Sequence, residues 1–122
     1  MKYFLAVDIG ASSGRHMLTH MEEDRMVLEE VHRFYNGMTE KNGHKIWDVD
    51  TLFEEIKIGM KKCASLGKIP ESMGIDTWAV DFVLLDKNGG RIGDAVAYRD
   101  ARTTGMDEGM PDCRREAYCK ES

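Results

Sequence analysis

The run Lys2-Tyr3-Phe4-Leu5-Ala6-Val7 constrains this chain more than any other feature, because it is almost continuously apolar for the length of a strand and then meets Asp8. A run of that kind is the pattern of a strand buried on both faces of a sheet, so further layers must cover it. The strand is expected to end at Asp8, and the small residues from Gly10 to Gly14 then make a turn. Arg15 to Thr19 and Met26 to Phe34 read as two further strands around the polar turn Glu22-Glu23-Asp24. Asn42-Gly43 marks a reversal. Trp47-Asp48-Val49-Asp50 then leads into a strong helix signal, in which Leu52, Phe53, Ile56, Met60, Cys63 and Ala64 fall on one face. Asp50 is a candidate N-cap, Thr51 with Glu54 fits a capping box, and Gly67 and Pro70 supply the stop.

After the helix, Ser72 to Ile75 and Val80 to Leu85 are strand-like, and Asp76-Thr77-Trp78-Ala79 interrupts them. Asn88-Gly89-Gly90 is a turn signal, and Arg91 to Tyr98 is expected to return as an extended segment. The expected order is therefore β-β-β-α-β-β. The 122 residues suffice for one modest domain. Its core is expected within residues 1–98, because the last 26 residues contain no Val, Ile, Leu, Phe or Trp. Residues 99–122 form a core-poor tail, with a thin apolar stripe if Thr104 to Lys120 is helical.

Charge and composition narrow the function. With Lys+Arg 17 against Asp+Glu 22, the formal net charge is −5, and no basic patch offers itself to nucleic acid. The uninterrupted apolar runs, Tyr3 to Val7 and Phe82-Val83-Leu84-Leu85, are far short of the roughly 20 residues that span a bilayer. The amino terminus leaves no room for the apolar region of a secretory signal, so a cytoplasmic protein with no membrane partner is expected. Cys63, Cys113 and Cys119 contain no Cys-x-x-Cys pair, which disfavours a disulfide framework and a zinc site. His16, His20, His32 and His44 form no metal pattern and read as structural or solvent-facing, and the nine methionines are expected to fill gaps in the core.

Three segments carry candidate chemistry. In Asp8-Ile9-Gly10-Ala11-Ser12-Ser13-Gly14-Arg15, the glycines permit backbone conformations and close approach that turn N–H groups toward an anion. Ser12 and Ser13 add hydroxyls, Arg15 adds charge, and Asp8 is placed to hold Mg²⁺, most simply through water. A tight β-hairpin would use the same glycines. In Gly74-Ile75-Asp76-Thr77-Trp78-Ala79-Val80-Asp81-Phe82, polar groups interrupt an apolar sequence at a strand end. That fits a sugar subsite, with Asp81 accepting from hydroxyls, the Trp78 indole covering an apolar sugar face and Ala79 leaving space. The alternative has Asp76 and Asp81 capping turns and Trp78 in the core. In Tyr98-Arg99-Asp100-Ala101-Arg102-Thr103, the alternating charges could bind hydroxyls, but they are expected to pair with one another at the surface.

These segments, with Trp47-Asp48-Val49-Asp50 and the continuation through Val83-Leu84-Leu85-Asp86, together resemble the N-terminal part of the rhamnulokinases, within the FGGY carbohydrate kinases. The resemblance runs from Lys2 to about Thr104. It implies an α/β, ribonuclease H-like (actin-like ATPase) fold with a mixed sheet, and a nucleotide cleft shared with a second domain that this chain lacks. It also implies that ATP with Mg²⁺ phosphorylates the 1-hydroxyl of L-rhamnulose in rhamnose catabolism. By similarity, Ala11, Ser12, Ser13, Gly14 and Arg15 correspond to the ATP loop, Asp8 to the metal-associated acid and Ala79 to a substrate-contacting position. The family usually has Gly at that last position. The catalytic base is then expected beyond Ser122, the remainder of the kinase chain is a necessary partner, and this segment alone is expected to be inactive. The alternatives are fuculokinase or another FGGY kinase, a ribonuclease H-like nuclease built on Asp8, Asp76 and Asp81 with paired metals, and a non-catalytic interaction module.

Overall fold

The computed structural model describes residues 1–106. Strands β1 (Tyr3–Ile9), β2 (Ser13–Glu22) and β3 (Arg25–Tyr35) form an antiparallel meander, and β6 (Pro70–Thr77) adds to β1 in parallel, so the sheet order is β3-β2-β1-β6 and the sheet is mixed. The parallel pairing requires a crossover, and helix α1 (Val49–Ser65) supplies it. Between β3 and α1 lies a hairpin of β4 (Thr39–Lys41) and β5 (His44–Trp47), turned by Asn42 and Gly43, both at positive φ. After β6 come three two-residue strands, β7 (Leu84–Leu85), β8 (Arg91–Ile92) and β9 (Ala95–Val96), and a single 3₁₀ turn at Ala101–Thr103. β7 pairs with β8, and β9 closes onto β5.

Period-two alternation decides which residues of β1 are inside. Leu5, Val7 and Ile9 are buried beneath α1 with Leu18, Phe34 and Cys63, and the partly buried Leu52 and Ile56 of the helix pack against them. Phe4, Ala6 and Asp8 point to the opposite face, where Phe4 is 40% exposed. The expectation of a strand buried on both faces is therefore corrected: α1 is the one α-helix among the described residues, and it covers one side. β1 also continues through Asp8 to Ile9, because both residues keep partners on β2 and β6.

Two close approaches fix how α1 meets the sheet. His16 of β2 is fully buried, and its Nε2–H donates to the Ile56 carbonyl of the helix at 3.1 Å. Gly59 lies directly over that imidazole, and any side chain there would collide with the ring. Beside it, Lys62 donates to His32 Nδ1 at 2.8 Å, which leaves the proton on His32 Nε2 to bind Glu55 Oε2 at 2.6 Å. Burial lowers the His16 pKa, so the ring is held neutral.

Other sequence expectations shift by identifiable causes. The N-cap is Asp48, ahead of both Asp50 and Thr51 in the chain: its carboxylate accepts from the Thr51 amide at 3.0 Å and from the Thr51 hydroxyl at 2.8 Å. Phe53, Met60 and Ala64 are exposed, so the buried stripe of α1 is narrower than the apolar one, running through Gly59 and Cys63. Gly67 closes the helix at φ 70° as expected, and Pro70 opens β6. Val80 to Leu85 is a strand only at its last two residues, because Val80 sits at φ 73° and breaks the extended path. Arg91 to Tyr98 is split between β8 and β9. The methionines at 21, 26, 60, 73 and 106 are largely exposed rather than filling the core. The expected tail helix reaches beyond the described residues, as do Cys113 and Cys119.

Candidate functional site

Parallel pairing of β1 with β6 brings the two polar segments to one edge of the sheet. Asp8 stands opposite Asp76 and Ile9 opposite Thr77, so the turn after β1 and the segment after β6 leave side by side from the carboxyl ends of their strands. Open α/β sheets place ligand crevices at such ends.

The first segment is a tight, braced turn. The Gly10 amide donates to the Ser13 carbonyl at 2.9 Å, and the Asn36 amide donates to the Ser12 carbonyl at 3.0 Å. The side-chain amide of Asn36 donates to the Gly10 carbonyl at 2.8 Å. Carbonyls at 10, 12 and 13 are thus occupied inside the turn, and Ala11 and Ser12 form its exposed tip. The glycines act differently from expectation, since neither Gly10 nor Gly14 has a positive φ. Gly14 is needed because Phe34 fills the space where its side chain would be. Asn36 was not apparent from the sequence: it looks like an ordinary residue of an Asn-Gly turn, and its partner Gly10 is 26 positions away.

Asp8 and Arg15 are cross-strand partners on the open face. Arg15 places its Nε and one terminal nitrogen each 3.1 Å from Asp8 Oδ2, and both side chains are about half exposed. The Asp8 and Asp76 carboxylates are hard oxygen donors at paired positions, whereas no group of three metal-binding side chains occurs among the described residues. That donor set fits a Mg²⁺ that keeps most of its ligands as water and phosphate oxygen, and does not fit an all-protein cage.

The second segment is tied down by a single carboxylate oxygen. Asp81 Oδ2 accepts the indole N–H of Trp47 at 2.6 Å and that of Trp78 at 2.7 Å. The two indoles meet with centroids 4.2 Å apart. Trp47 is buried with Ala95 and Ala97, and Trp78 is half-buried between that cluster and the main core. Ala79 is exposed on the turn between them. Thus Trp78 and Asp81 bracket Ala79 on one turn and are bonded to each other, with Trp47 as an unforeseen further partner. Its indole could have been noticed only as a second tryptophan seeking a buried acceptor.

The third segment departs from expectation. Asp100 is turned inward, where it accepts from the Lys45 amide at 2.8 Å, His44 Nδ1 at 3.0 Å and the Arg102 amide at 3.2 Å. The Lys45 amide, then His44, hold its carboxyl down at about 2. Its neighbours Arg99 and Arg102 are not its ion-pair partners; Arg99 lies over the Tyr98 ring. The inward turn is imposed by the β4–β5 hairpin, whose free amide needs an acceptor.

Residues 3–120 match the family model described as the FGGY family of carbohydrate kinases, N-terminal domain. The chain belongs to that family. Among FGGY relatives, the rhamnulokinase of Halalkalibacterium halodurans is 58% identical over 108 residues, covering 88% of this chain and 23% of the relative. That of Bacillus subtilis is 47% identical over 100 residues, covering 82% and 21%. This chain therefore spans about a fifth of the length of the FGGY rhamnulokinases it matches. The fold agrees with solved FGGY kinases at far lower identity. The gluconate kinase of Lactobacillus acidophilus superposes with TM-score 0.73 at 12% identity, over 91% of this chain and 22% of that one. The Plasmodium falciparum glycerol kinase with ADP superposes with TM-score 0.65 at 16% identity, over 92% and 23%. The actin-like ATPase architecture expected from the FGGY resemblance is thus the architecture found.

Proposed function

We propose that these 122 residues are the opening segment of an ATP-dependent rhamnulokinase, which transfers the terminal phosphoryl group of ATP to the 1-hydroxyl of L-rhamnulose. The identity of 47 to 58% to rhamnulokinases, over 82 to 88% of this chain, carries this reading. The exposed tip at Ala11 and Ser12 is suited to an anion: the carbonyls of Gly10, Ser12 and Ser13 are engaged within the turn, which leaves amides and the hydroxyls of Ser12 and Ser13 for phosphate oxygens. Gly14 permits the close packing beneath that tip, and Arg15 adds positive charge at its foot. Mg²⁺, bound with the nucleotide, would neutralise charge on the phosphates. Asp8 is the side chain best placed to orient its water ligands, with Asp76 alongside.

The adjacent turn is suited to the sugar. Ala79 offers backbone and one methyl group at its apex, and Trp78 offers an apolar face. Asp81 has spent one oxygen on the two indoles, so any hydroxyl it accepts from must use the other. Phosphoryl transfer depends on positioning and charge stabilisation, and a half cleft supplies neither fully. The deprotonating base, the adenosine site and a second domain belong to the remainder of the kinase chain, and the cytoplasm is the compartment in which such a kinase would meet its ATP.

The test is ADP release by the full-length kinase over a panel of ketoses and polyols, run beside the 122-residue chain. L-Rhamnulose should be the preferred substrate and the short chain should show no turnover. In the full-length enzyme Asp8→Asn should lower kcat by about 100-fold or more with a much smaller change in sugar KM. Preference for another sugar, or an unchanged kcat in Asp8→Asn, would contradict the corresponding part of the reading.

A further inference from the structure

We infer that Asp81 and Trp47 are positioning residues for the sugar subsite, acting through the backbone of Ala79 rather than by touching sugar. This rests on the sugar-kinase reading and adds to it a pair of side chains that set the substrate turn. Two independent observations support it. The first is the double acceptor geometry: Asp81 Oδ2 ties Trp78, three residues earlier, to Trp47, 34 residues away on β5. Trp47 is only 3% exposed and is embedded with Ala95 and Ala97, so it anchors the turn to the small β4-β5-β9 sheet.

The second is strain. Val80 lies between Ala79 and Asp81 at φ 73°, and a β-branched residue rarely occupies that region. Its side chain is 77% exposed, so no packing of its own compensates for this conformation. Such a residue persists only where its surroundings over-determine the backbone. Here the surroundings are the two ends of the turn, Trp78 and Asp81, which are joined by their own hydrogen bond and then fastened to Trp47. Releasing the carboxylate frees two indole donors and lets Val80 relax into extended backbone, which moves the Ala79 peptide.

Kinetics of the full-length kinase separate this from the alternatives. Asp81→Ala and Trp47→Phe should each raise KM for L-rhamnulose by about 10- to 100-fold while KM for ATP stays within about twofold. Trp47→Phe is the decisive variant, because it removes one indole donor from a buried side chain and keeps an aromatic ring in place. If Asp81 acts only by direct contact with sugar, Asp81→Ala raises KM and Trp47→Phe does not, which overturns the proposal. If the clamp is merely structural, both variants lower the active fraction and kcat with both KM values unchanged, which also overturns it. A wild-type enzyme that phosphorylates no ketose rejects the underlying function instead. The 122-residue chain offers a second readout, since it contains only two tryptophans. Its two indole N–H resonances should both move in Asp81→Asn, and movement of Trp78 alone would overturn the shared clamp.

Discussion

A single carboxylate, Asp100, closes the small sheet onto the turn that follows β9, and its chemistry fixes the direction of its pH response. Its pKa is lowered from 3.8 to about 2, because the folded state supplies the Lys45 amide and then His44 to the ionised form. A group whose folded pKa is depressed adds stability in full above its unfolded value and loses it as pH falls through the folded one. Asp100→Asn should therefore melt at a lower temperature than the parent chain at pH 7. The gap should narrow as pH falls from 3.8 toward 2, where the parent's own carboxyl takes up its proton. Thermal melts of the two chains across that range test this, and a gap that stays constant would show that the ionised form has no special role. Asp81 is a carboxylate of another kind, one of whose oxygens accepts from two neutral indole donors.

Packing of α1 on the sheet depends on an absent side chain. Gly59→Ala gains about 1 kcal/mol of helix propensity, yet its methyl group would enter the space of the buried His16 ring. Overpacking of this kind costs about 1–3 kcal/mol, so the variant should be less stable despite the better helix former. Pairing it with His16→Val should recover much of the loss in denaturant unfolding, and simple additivity of the two effects would refute the contact. The elements that repeat a period over many residues were legible in advance: β1, β2, β3, α1 and the body of β6. Strands of two to four residues, β4, β5, β7, β8 and β9, carry too few positions to show one. The grouping of side chains was legible where it was local, as in the turn from Gly10 to Arg15 and the segment from Trp78 to Asp81. It was hidden where the partner comes from far along the chain, as with Asn36 on Gly10 and Trp47 on Asp81. Gly14 and Gly59 show the same limit, because the reason for each lies in the Phe34 or His16 side chain opposite and not in a turn of its own.

At the scale of the molecule, among the described residues the sheet is covered by α1 on one side only, and even that side is incomplete. The helix lies over β2 and β3 and packs side chains onto the buried residues of β1, so Met73 and Ile75 of β6 remain 43% and 51% exposed on the helix side. Beside them an apolar groove runs between α1 and the segment after β6, lined by Leu52, Phe53, Ile56, Trp78, Phe82 and Val83. Phe53 is 59% and Phe82 65% exposed. An apolar surface of this extent marks a place where more protein packs, and the FGGY relatives are several times longer than the segment matched here. The 122-residue chain on its own should therefore bind an environment-sensitive apolar dye and sediment with a concentration-dependent mass, whereas the full-length kinase should do neither. Phe82→Ser should weaken both effects in the short chain without lowering its melting temperature by more than a few degrees, because the side chain it removes is already mostly in water. A dye-silent monomer at all concentrations would mean that these residues cover the groove among themselves, and the cleft would then have to be completed by contacts other than this apolar face.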